Sequence, residues 1–524
     1  MGMPLQVVRT ETELKLRLSP ECAARLQHNP LLKSLNVSSP FTKKIYSIYY
    51  DSSNFDLRRN GVALRLRREG KRWVQTIKGG GSAIAGLHKR EEWEASVLKA
   101  QPDITNISDP LLMKLFCGAG LRQQLRPLFT TEFNRSTRML HLPDGSEAEF
   151  CLDRGKIIAG NVSLPLCEIE LELKSGSPMA LFHFALDLLR IVPFRLENVS
   201  KAERGYALYS GCMSPPFKAQ PIQLVPKTSV GEAFRTIIWK CLSHLHINEA
   251  GMLEGGDIEY LHQMRVALRR QRSALSIFSK VFYKATFTPI VQELKWLAGQ
   301  FGPARDWDVF VTETLATVCE VFPDHPGVLA LQEKCEQLRR YHNDDARAAI
   351  ESRRYTEATL KLGAWLSAES WLAKPDVPAS DDLIDIEPGA PIKEFAGKLL
   401  SHRHRQLKRY GWKLAHLSAQ DLHALRILVK KQRYAAEFFA ELYPYKETKR
   451  YIHSLSTLQD ILGAMNDTTV IEGLLSEVSI AKDESGMHEA VGIVRGWETS
   501  LALTKKLELN NAWIYYQENS PFWQ

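Results

Sequence analysis

Residues 11–18 read ETELKLRL, with charged side chains at 11, 13, 15 and 17 and leucines at 14, 16 and 18. An extended backbone sends successive side chains to opposite faces, so this segment is a strand with one charged and one apolar face. The same alternation sets Arg65 and Arg67 against Val62, Leu64 and Leu66 in VALRLRRE, and Glu168, Glu170 and Glu172 against Ile169, Leu171 and Leu173 in CEIELELK. Further period-two segments, KKIYSIYYD, RWVQTIKG, HKREEWEASV, LFTTEFNRSTRML and EAEFCLDRGKII, fill residues 1–210. Turn residues at Asn60-Gly61, Asp144-Gly145 and Ser175-Gly176 predict antiparallel hairpins between them. Two capped amphipathic segments, after Ser19 and after Ser177, predict helices.

One strand with a charged face is ordinary, because such faces usually meet water and suppress edge pairing. Many such strands with apolar opposite faces are better explained by closure. In a barrel whose outer faces are covered by helices, the charged faces meet in the lumen. Facing carboxylates and cations are costly to bury unless the cations clamp phosphate oxygens and the carboxylates hold hard metal ions. Oxygen donors without a His/Cys cluster favour Mg²⁺ or Mn²⁺ over zinc. Arg90, Glu92 and Glu94 also alternate and could add to the lumen, but are read as solvent-facing; Asn134, Arg154 and Lys156 are left unassigned.

The pattern changes after residues 211–226, a Pro-rich linker without period. From Val230 onward, long segments with apolar residues three and four apart predict helices. A second Pro-rich and acidic stretch, 373–392, reads as a connector between two related halves. LHQMRVALRRQRSALSIF from Leu261 aligns with LHALRILVKKQRYAAEFF from Leu422 at an offset of 161, and the same offset carries Leu297 to Leu458, Gly302 to Gly463 and Asp306 to Asp467. Two copies of one helical bundle related by a pseudo-twofold axis are expected. The fold class is therefore α+β and multidomain. It comprises an antiparallel β-barrel over 1–210, the linker 211–226, and an all-α duplicated helical bundle over 227–515 with repeats at roughly 227–372 and 393–515.

Each repeat carries a basic stripe. His262, Arg265, Arg269 and Arg272 fall at i, i+3, i+7 and i+10 on one side of a helix, and His423, Arg426, Lys430 and Arg433 repeat the arrangement. No acidic residue interrupts either. A stripe recurring in both copies can line one groove and attract a polyanion, although the net charge of the chain is only +8. Asp306 and Asp467 are expected to cap or pair with the basic helices.

Composition bounds the setting. Hydrophobic residues make up 44% and charged residues 24% of the 524, a normal globular balance. Eight cysteines, without C-x-x-C spacing, fit a reducing compartment. The opening MGMPLQVVRTETEL has no basic segment leading into an apolar core, and no run of about 18 apolar residues occurs anywhere. A cytoplasmic protein without a membrane partner is expected.

Glu11-Thr-Glu13-Leu-Lys15 resembles the ExExK signature of the CYTH domain, or triphosphate tunnel metalloenzymes, and YYDSSNFDLRRNGVALRLRRE resembles the family stretch that leads into its R-x-R pair. The resemblance covers about 1–210 and implies an eight-stranded antiparallel β-tunnel. It implies phosphate binding by Lys15, Arg65, Arg67, Lys78, Arg135 and Lys201. It also implies catalytic metal binding by Glu11, Glu13, Asp153 and an E-x-E pair within Glu168, Glu170 and Glu172, where two registers are open. One Mg²⁺ or Mn²⁺ would neutralise phosphate charge, and a second, if present, would activate water. Residues 225–515 resemble the CHAD domain, a duplicated four-helix bundle, through HQMRVALRRQRSALSIF, ARDWDVF and LGAMNDTTV. That resemblance implies binding of inorganic polyphosphate at His262, Arg265, Arg269, Arg272, His423, Arg426, Lys430 and Arg433, with His244, His402, Arg405 and Arg409 as weaker candidates.

The pairing resembles the bacterial CYTH–CHAD inorganic triphosphatases, whose expected reaction is hydrolysis of tripolyphosphate to pyrophosphate and phosphate. Thiamine triphosphate or a nucleoside triphosphate is an alternative substrate, and cyclisation of ATP an alternative reaction. A non-enzymatic polyphosphate binder is a further reading, but such a protein gains nothing from five or so carboxylates beside its cations. Nucleic acid is disfavoured because few aromatics interleave with the basic stripes.

Overall fold

The computed structural model describes residues 7–524 except 108, 118–119, 280, 283, 373–385, 412–413, 415–416 and 480–483. Most of the predicted connector 373–392 lies outside the described residues. The chain divides into two compact units, residues 1–215 with 351–369, and residues 216–350 with 370–524.

In the first unit, eight strands form a closed antiparallel barrel: β1 (Val7–Arg17), β2 (Phe41–Asp51), β3 (Val62–Glu69), β4 (Arg72–Ile84), β5 (Leu87–Val97), β6 (Arg126–His141), β7 (Glu147–Ala159) and β8 (Val162–Ser175). They pair in the order β5-β4-β3-β2-β6-β7-β8-β1, and β1 pairs again with β5 to close the ring. The register aligns like-facing residues across neighbouring strands: Lys15 opposite Glu170, Glu13 opposite Glu172, Arg135 opposite Asp153 and Lys78 opposite Glu92. The leucines of ETELKLRL face away from these charges, with Leu14 and Leu16 fully buried outside the lumen. Around β3 to β5 the outer face is covered by the helices Pro110–Cys117 and Leu121–Gln124, through Leu64, Leu66, Ile77, Trp93, Leu112 and Phe116.

Both predicted helices form, as Pro20–Gln27 capped by Ser19 and Pro178–Ile191 capped by Ser177. The turn predictions divide. Asp144-Gly145 sits in the β6–β7 hairpin, where Gly145 has φ 86 and Leu142 N donates to Ser146 O at 2.8 Å. Asn60-Gly61 instead ends the short helix Asp56–Arg59, and Ser175-Gly176 leads from β8 into a helix. Each still needs the positive φ that glycine supplies, 69 at Gly61 and 99 at Gly176.

Asp51, fully buried at the end of β2, ties three elements together. Its carboxylate accepts from Leu57 N at 2.8 Å, Arg58 N at 3.0 Å and Tyr206 Oη at 2.9 Å. It thereby caps the helix Asp56–Arg59 and anchors the helix Lys201–Ser210 against the barrel. Gly205 allows the close approach, since a Cβ there would lie 2.0 Å from the Phe129 ring. Asp51→Ala leaves these buried donors unpaired and is expected to cost about 3 kcal/mol, read as a lowered melting temperature of the full chain.

The helix Arg353–Ala368 belongs to the barrel's unit although the sequence places it inside the first helical repeat. Gly363 packs on the Phe182 ring of the helix Pro178–Ile191, and Thr356 Oγ1 donates to Phe194 O at 3.3 Å. Its amphipathic pattern predicts a helix but carries nothing about which neighbour its apolar face meets.

The second unit contains the expected duplication. One copy comprises Val230–Glu254, Glu259–Phe278, Thr288–Val309 continuing through a π-turn to Val321, and Pro326–Glu351. The other comprises Ile392–Gly411, Ala419–Phe438, Tyr445–Glu477 and Ser485–Glu518. The copies share one core, in which Trp307, Phe310 and Leu315 pack with Leu474, Leu475 and Val494. Phe278 and Phe439, equivalent under the 161-residue offset, have ring centroids 6.5 Å apart. Contact between equivalent residues is what a twofold axis passing between them produces.

Candidate functional site

The barrel holds a cavity of about 550 Å³ whose wall is predominantly charged. Of the tunnel residues expected from the sequence, Glu11, Glu13, Lys15, Arg65, Arg67, Lys78, Arg135, Glu170, Glu172 and Lys201 all line it. Asp153 and Glu168 do not. Both are fully buried behind the wall, where Asp153 receives Arg135 Nε at 2.7 Å and Glu168 is paired with Lys201 and Arg204. Of the two E-x-E registers, the Glu170/Glu172 pair is the one whose members both face the cavity.

Two layers of carboxylates result. In the deeper layer, Asp153, Glu168 and Glu170 bring one oxygen each within 4.8 Å of the others. Lys201 Nζ lies 2.8 Å from both Asp153 and Glu170 and also meets Glu168, while Lys15 and Arg135 pair with Glu170. Against the opposing effect of burial, Lys201 and Arg204 hold Glu168 down at about 2, and Lys15, Lys201 and Arg135 hold Glu170 well below the ordinary carboxylate value. Both are ionised at any working pH. In the outer layer, Glu11 pairs with Lys78, Glu13 lies 2.8 Å from Lys15, and Glu172 lies 2.6 Å from Lys174. Burial pushes the pKa of Glu11 and of Glu172 up, so these two carboxylates accept protons more readily than exposed ones.

Two of the arginines, Arg65 and Arg67, are paired more loosely. Arg65 lies 3.3 Å from Glu92, and Arg67 lies 3.2 Å from Glu94. Arg90, Glu92 and Glu94 therefore face the lumen, which corrects the solvent-facing reading of β5. Lys43, Glu149 and Lys174 line the cavity as well. Glu149 was legible as the residue four before Asp153, on the same face of a period-two strand; Lys43 lies opposite Arg135 in the β2–β6 register. Asn134 and Lys156 are exposed on the outside, and Arg154 donates to Gln27 there. Among the described residues the wall carries nine Lys or Arg against seven Glu, so the cavity attracts an anion while keeping oxygen ligands for a cation.

Cys151 is the thiol of the wall, and burial pushes it up to about 12. It stays protonated near neutral pH and is unsuited to nucleophilic attack. All the cysteines among the described residues are free.

In the helical unit the two stripes meet. Arg269, Arg272, Lys430 and Lys431 line one cavity, and the charges of Arg265, Arg269, Arg272 and Arg426 act on Lys430, which burial and these neighbours bring down to about 8. Arg265 donates to Gly302 O at 2.6 Å and lies 3.4 Å from Asp306, the pairing expected of that aspartate. The side chain of Asp467 lies outside the described residues. His262 is brought down to about 4 by burial and by Arg305, so it is neutral at pH 7. His423 is exposed. Arg433 departs from the expected stripe: Glu437, one turn further along, takes its guanidinium at 3.0 Å, and Gln459 accepts from Nε at 3.0 Å. Of the weaker candidates, His244 is buried and bonded to Phe217 O and Gln263 at 3.0 Å, whereas His402, Arg405 and Arg409 are exposed. No helix among the described residues is long and apolar enough to cross a membrane.

Comparison with known proteins matches residues 9–206 to the CYTH domain family and residues 236–476 to the CHAD domain family. Over 209 residues, 39% of this chain, the sequence is 32% identical to an inorganic triphosphatase of Haemophilus influenzae, and the match spans 56% of that protein's length. An uncharacterized protein of Mycobacterium tuberculosis is 24% identical over 473 residues, 85% of this chain and 84% of its own. Among solved structures, the CHAD domain of the plant Ricinus communis is 31% identical with a TM-score of 0.50, covering 58% of this chain and 98% of that one.

Proposed function

This chain joins a CYTH domain to a CHAD domain, and from that premise we propose that its barrel hydrolyses inorganic tripolyphosphate to pyrophosphate and phosphate with Mg²⁺ or Mn²⁺, while its helical unit holds inorganic polyphosphate. The observation that carries the first part is the cavity within the closed ring of strands, in which cations and carboxylates share one wall. A pure anion binder has no use for its carboxylates.

Arg65, Arg67, Arg135, Lys15, Lys78 and Lys201 bind the phosphate oxygens, the guanidinium groups in bidentate fashion. Glu11, Glu13, Glu170 and Glu172 hold the metal, with Asp153 and Glu168 fixing Arg135 and Lys201 from behind. An all-carboxylate donor set suits a hard divalent ion. When bound, the metal neutralises phosphate charge and activates water. Side chains that are paired with one another here, such as Lys78 with Glu11, would turn the cation to phosphate oxygens and the carboxylate to the metal, which would leave no charge uncompensated. The water oxygen bonds to a terminal phosphorus, the bridging P–O bond breaks, and pyrophosphate leaves with the electron pair. The water's protons leave on the phosphate products, whose oxygens accept them. Positioning and charge carry the catalysis, with no covalent enzyme intermediate.

Purified protein is expected to release phosphate from tripolyphosphate with Mg²⁺ or Mn²⁺ and to lose that activity in EDTA. Absence of release with either metal overturns the reading, and faster release from thiamine triphosphate or a nucleoside triphosphate reassigns the substrate. The helical unit has its own test. An anion placed beside Lys430 raises its pKa from about 8, so polyphosphate binding at pH 8 takes up protons and at pH 6, where the ammonium is already formed, it does not. Calorimetry in buffers of different ionisation enthalpy reads this difference.

A further inference from the structure

We propose that the cavity bounded by the helices Glu259–Phe278, Thr288–Val309 and Ala419–Phe438 is a site for an organic phosphate, a phosphate group carrying an aromatic body as a nucleotide does. The inference rests on the reading of the helical unit as an anion binder and narrows what one part of it takes.

The cavity measures about 630 Å³, in the range of small-molecule sites. Its rim is cationic, with Arg272 and Lys431 exposed and Arg269 and Lys430 half-buried. Among the described residues none of these four has a carboxylate within ion-pair distance. Its floor is different in kind: Leu275, Phe287 and Tyr434 are each 2% exposed, with Ile427 and Val291 beside them. The Tyr434 hydroxyl is buried on this floor without a hydrogen-bond partner, and so is Arg269 Nε. A buried hydroxyl without a partner costs free energy that a polar atom of a ligand can recover. An inorganic phosphate chain has no apolar surface to place against Leu275, Phe287 and Ile427. A ligand with an apolar ring at one end and phosphate at the other matches floor and rim together.

The duplication gives an internal control. Under the 161-residue offset Arg272 corresponds to Arg433, Ser276 to Glu437, Leu275 to Ala436 and Phe287 to Thr448. In the second copy Glu437 takes Arg433 at 3.0 Å. The first copy has a serine there, which leaves Arg272 available, and keeps the larger apolar residues of the floor. The two ends of the pseudo-symmetric pair have thus diverged, one neutralised and one open.

The test uses the full chain, 8-azido-ADP as a photoaffinity probe without divalent metal, and peptide mapping of the label. Label is expected on peptides from 259–295 or 419–438, with ADP protecting at about tenfold lower concentration than pyrophosphate. Ser276→Glu, an exposed change that copies the second repeat, should abolish that label and leave tripolyphosphate hydrolysis unchanged. Tyr434→Phe should weaken protection by ADP several-fold. Equal protection by pyrophosphate and ADP overturns the inference while leaving the anion-binding reading intact, as does label confined to the barrel. If inorganic polyphosphate itself fails to bind the helical unit, the underlying reading fails as well.

Discussion

With Glu13 replaced by alanine, hydrolysis of tripolyphosphate falls by on the order of a thousandfold or more, and the melting temperature stays close to that of the parent protein. Both halves of this expectation come from the position of one side chain. Glu13 faces the cavity, and its cationic neighbour Lys15 is also paired with Glu170, so removing Glu13 strands no buried charge. On the function proposed above, what disappears is an oxygen ligand in the outer layer, and on β1 only Glu11 among the described residues offers another. Phosphate release measured at saturating Mn²⁺, beside a thermal melt, checks the result; undiminished turnover removes Glu13 from the metal site.

Lys201→Met is expected to be the most damaging change for stability and activity together. Its ammonium sits among Asp153, Glu168 and Glu170, all buried. Removing one partner of such a cluster leaves uncompensated charge and costs about 3–5 kcal/mol. The loss depends on pH in a definite sense. Glu168 is lowered from 4.5 to about 2 in the folded protein, so its contribution to stability is complete above 4.5 and vanishes as pH falls through about 2. The variant gives up part of that contribution because its carboxylates lose the cation that depressed them. The stability gap between parent and variant is therefore widest near neutral pH and narrows below 4.5. Denaturant unfolding at pH 7 and pH 4 reads the difference, and a gap that widens on acidification contradicts the assignment.

The barrel was legible because strands such as VALRLRRE contrast a charged face with an apolar one, and closure is the arrangement that satisfies many such strands at once. β5 was misread for the opposite reason. In HKREEWEASV, Lys89 and Glu91 face outward and are exposed, while Arg90 and Glu92 face inward. With charge on both faces the period-two signal has no contrast. The turn pairs Asn60-Gly61 and Ser175-Gly176 announced a positive φ correctly but not whether a strand or a helix lay alongside, which tertiary packing decides. The depth of each carboxylate was also hidden. Glu168, Glu170 and Glu172 are equivalent in sequence pattern, and only the helix carrying Lys201 and Arg204, anchored through Tyr206 on Asp51, separates the sealed Glu168 from its cavity-facing neighbours. In the helical unit the basic stripe was read to its end at Arg433, one turn short of the glutamate that neutralises it.

The central claim, that substrate and metal meet inside the barrel among these facing charges, is tested most directly by a crystal structure with Mn²⁺ and a non-hydrolysable imido analogue of tripolyphosphate. The account predicts anomalous manganese density against Glu11, Glu13, Glu170 or Glu172, with phosphate oxygens on Arg65, Arg67, Arg135 and Lys201. Manganese and phosphate bound only outside the ring of eight strands would contradict it.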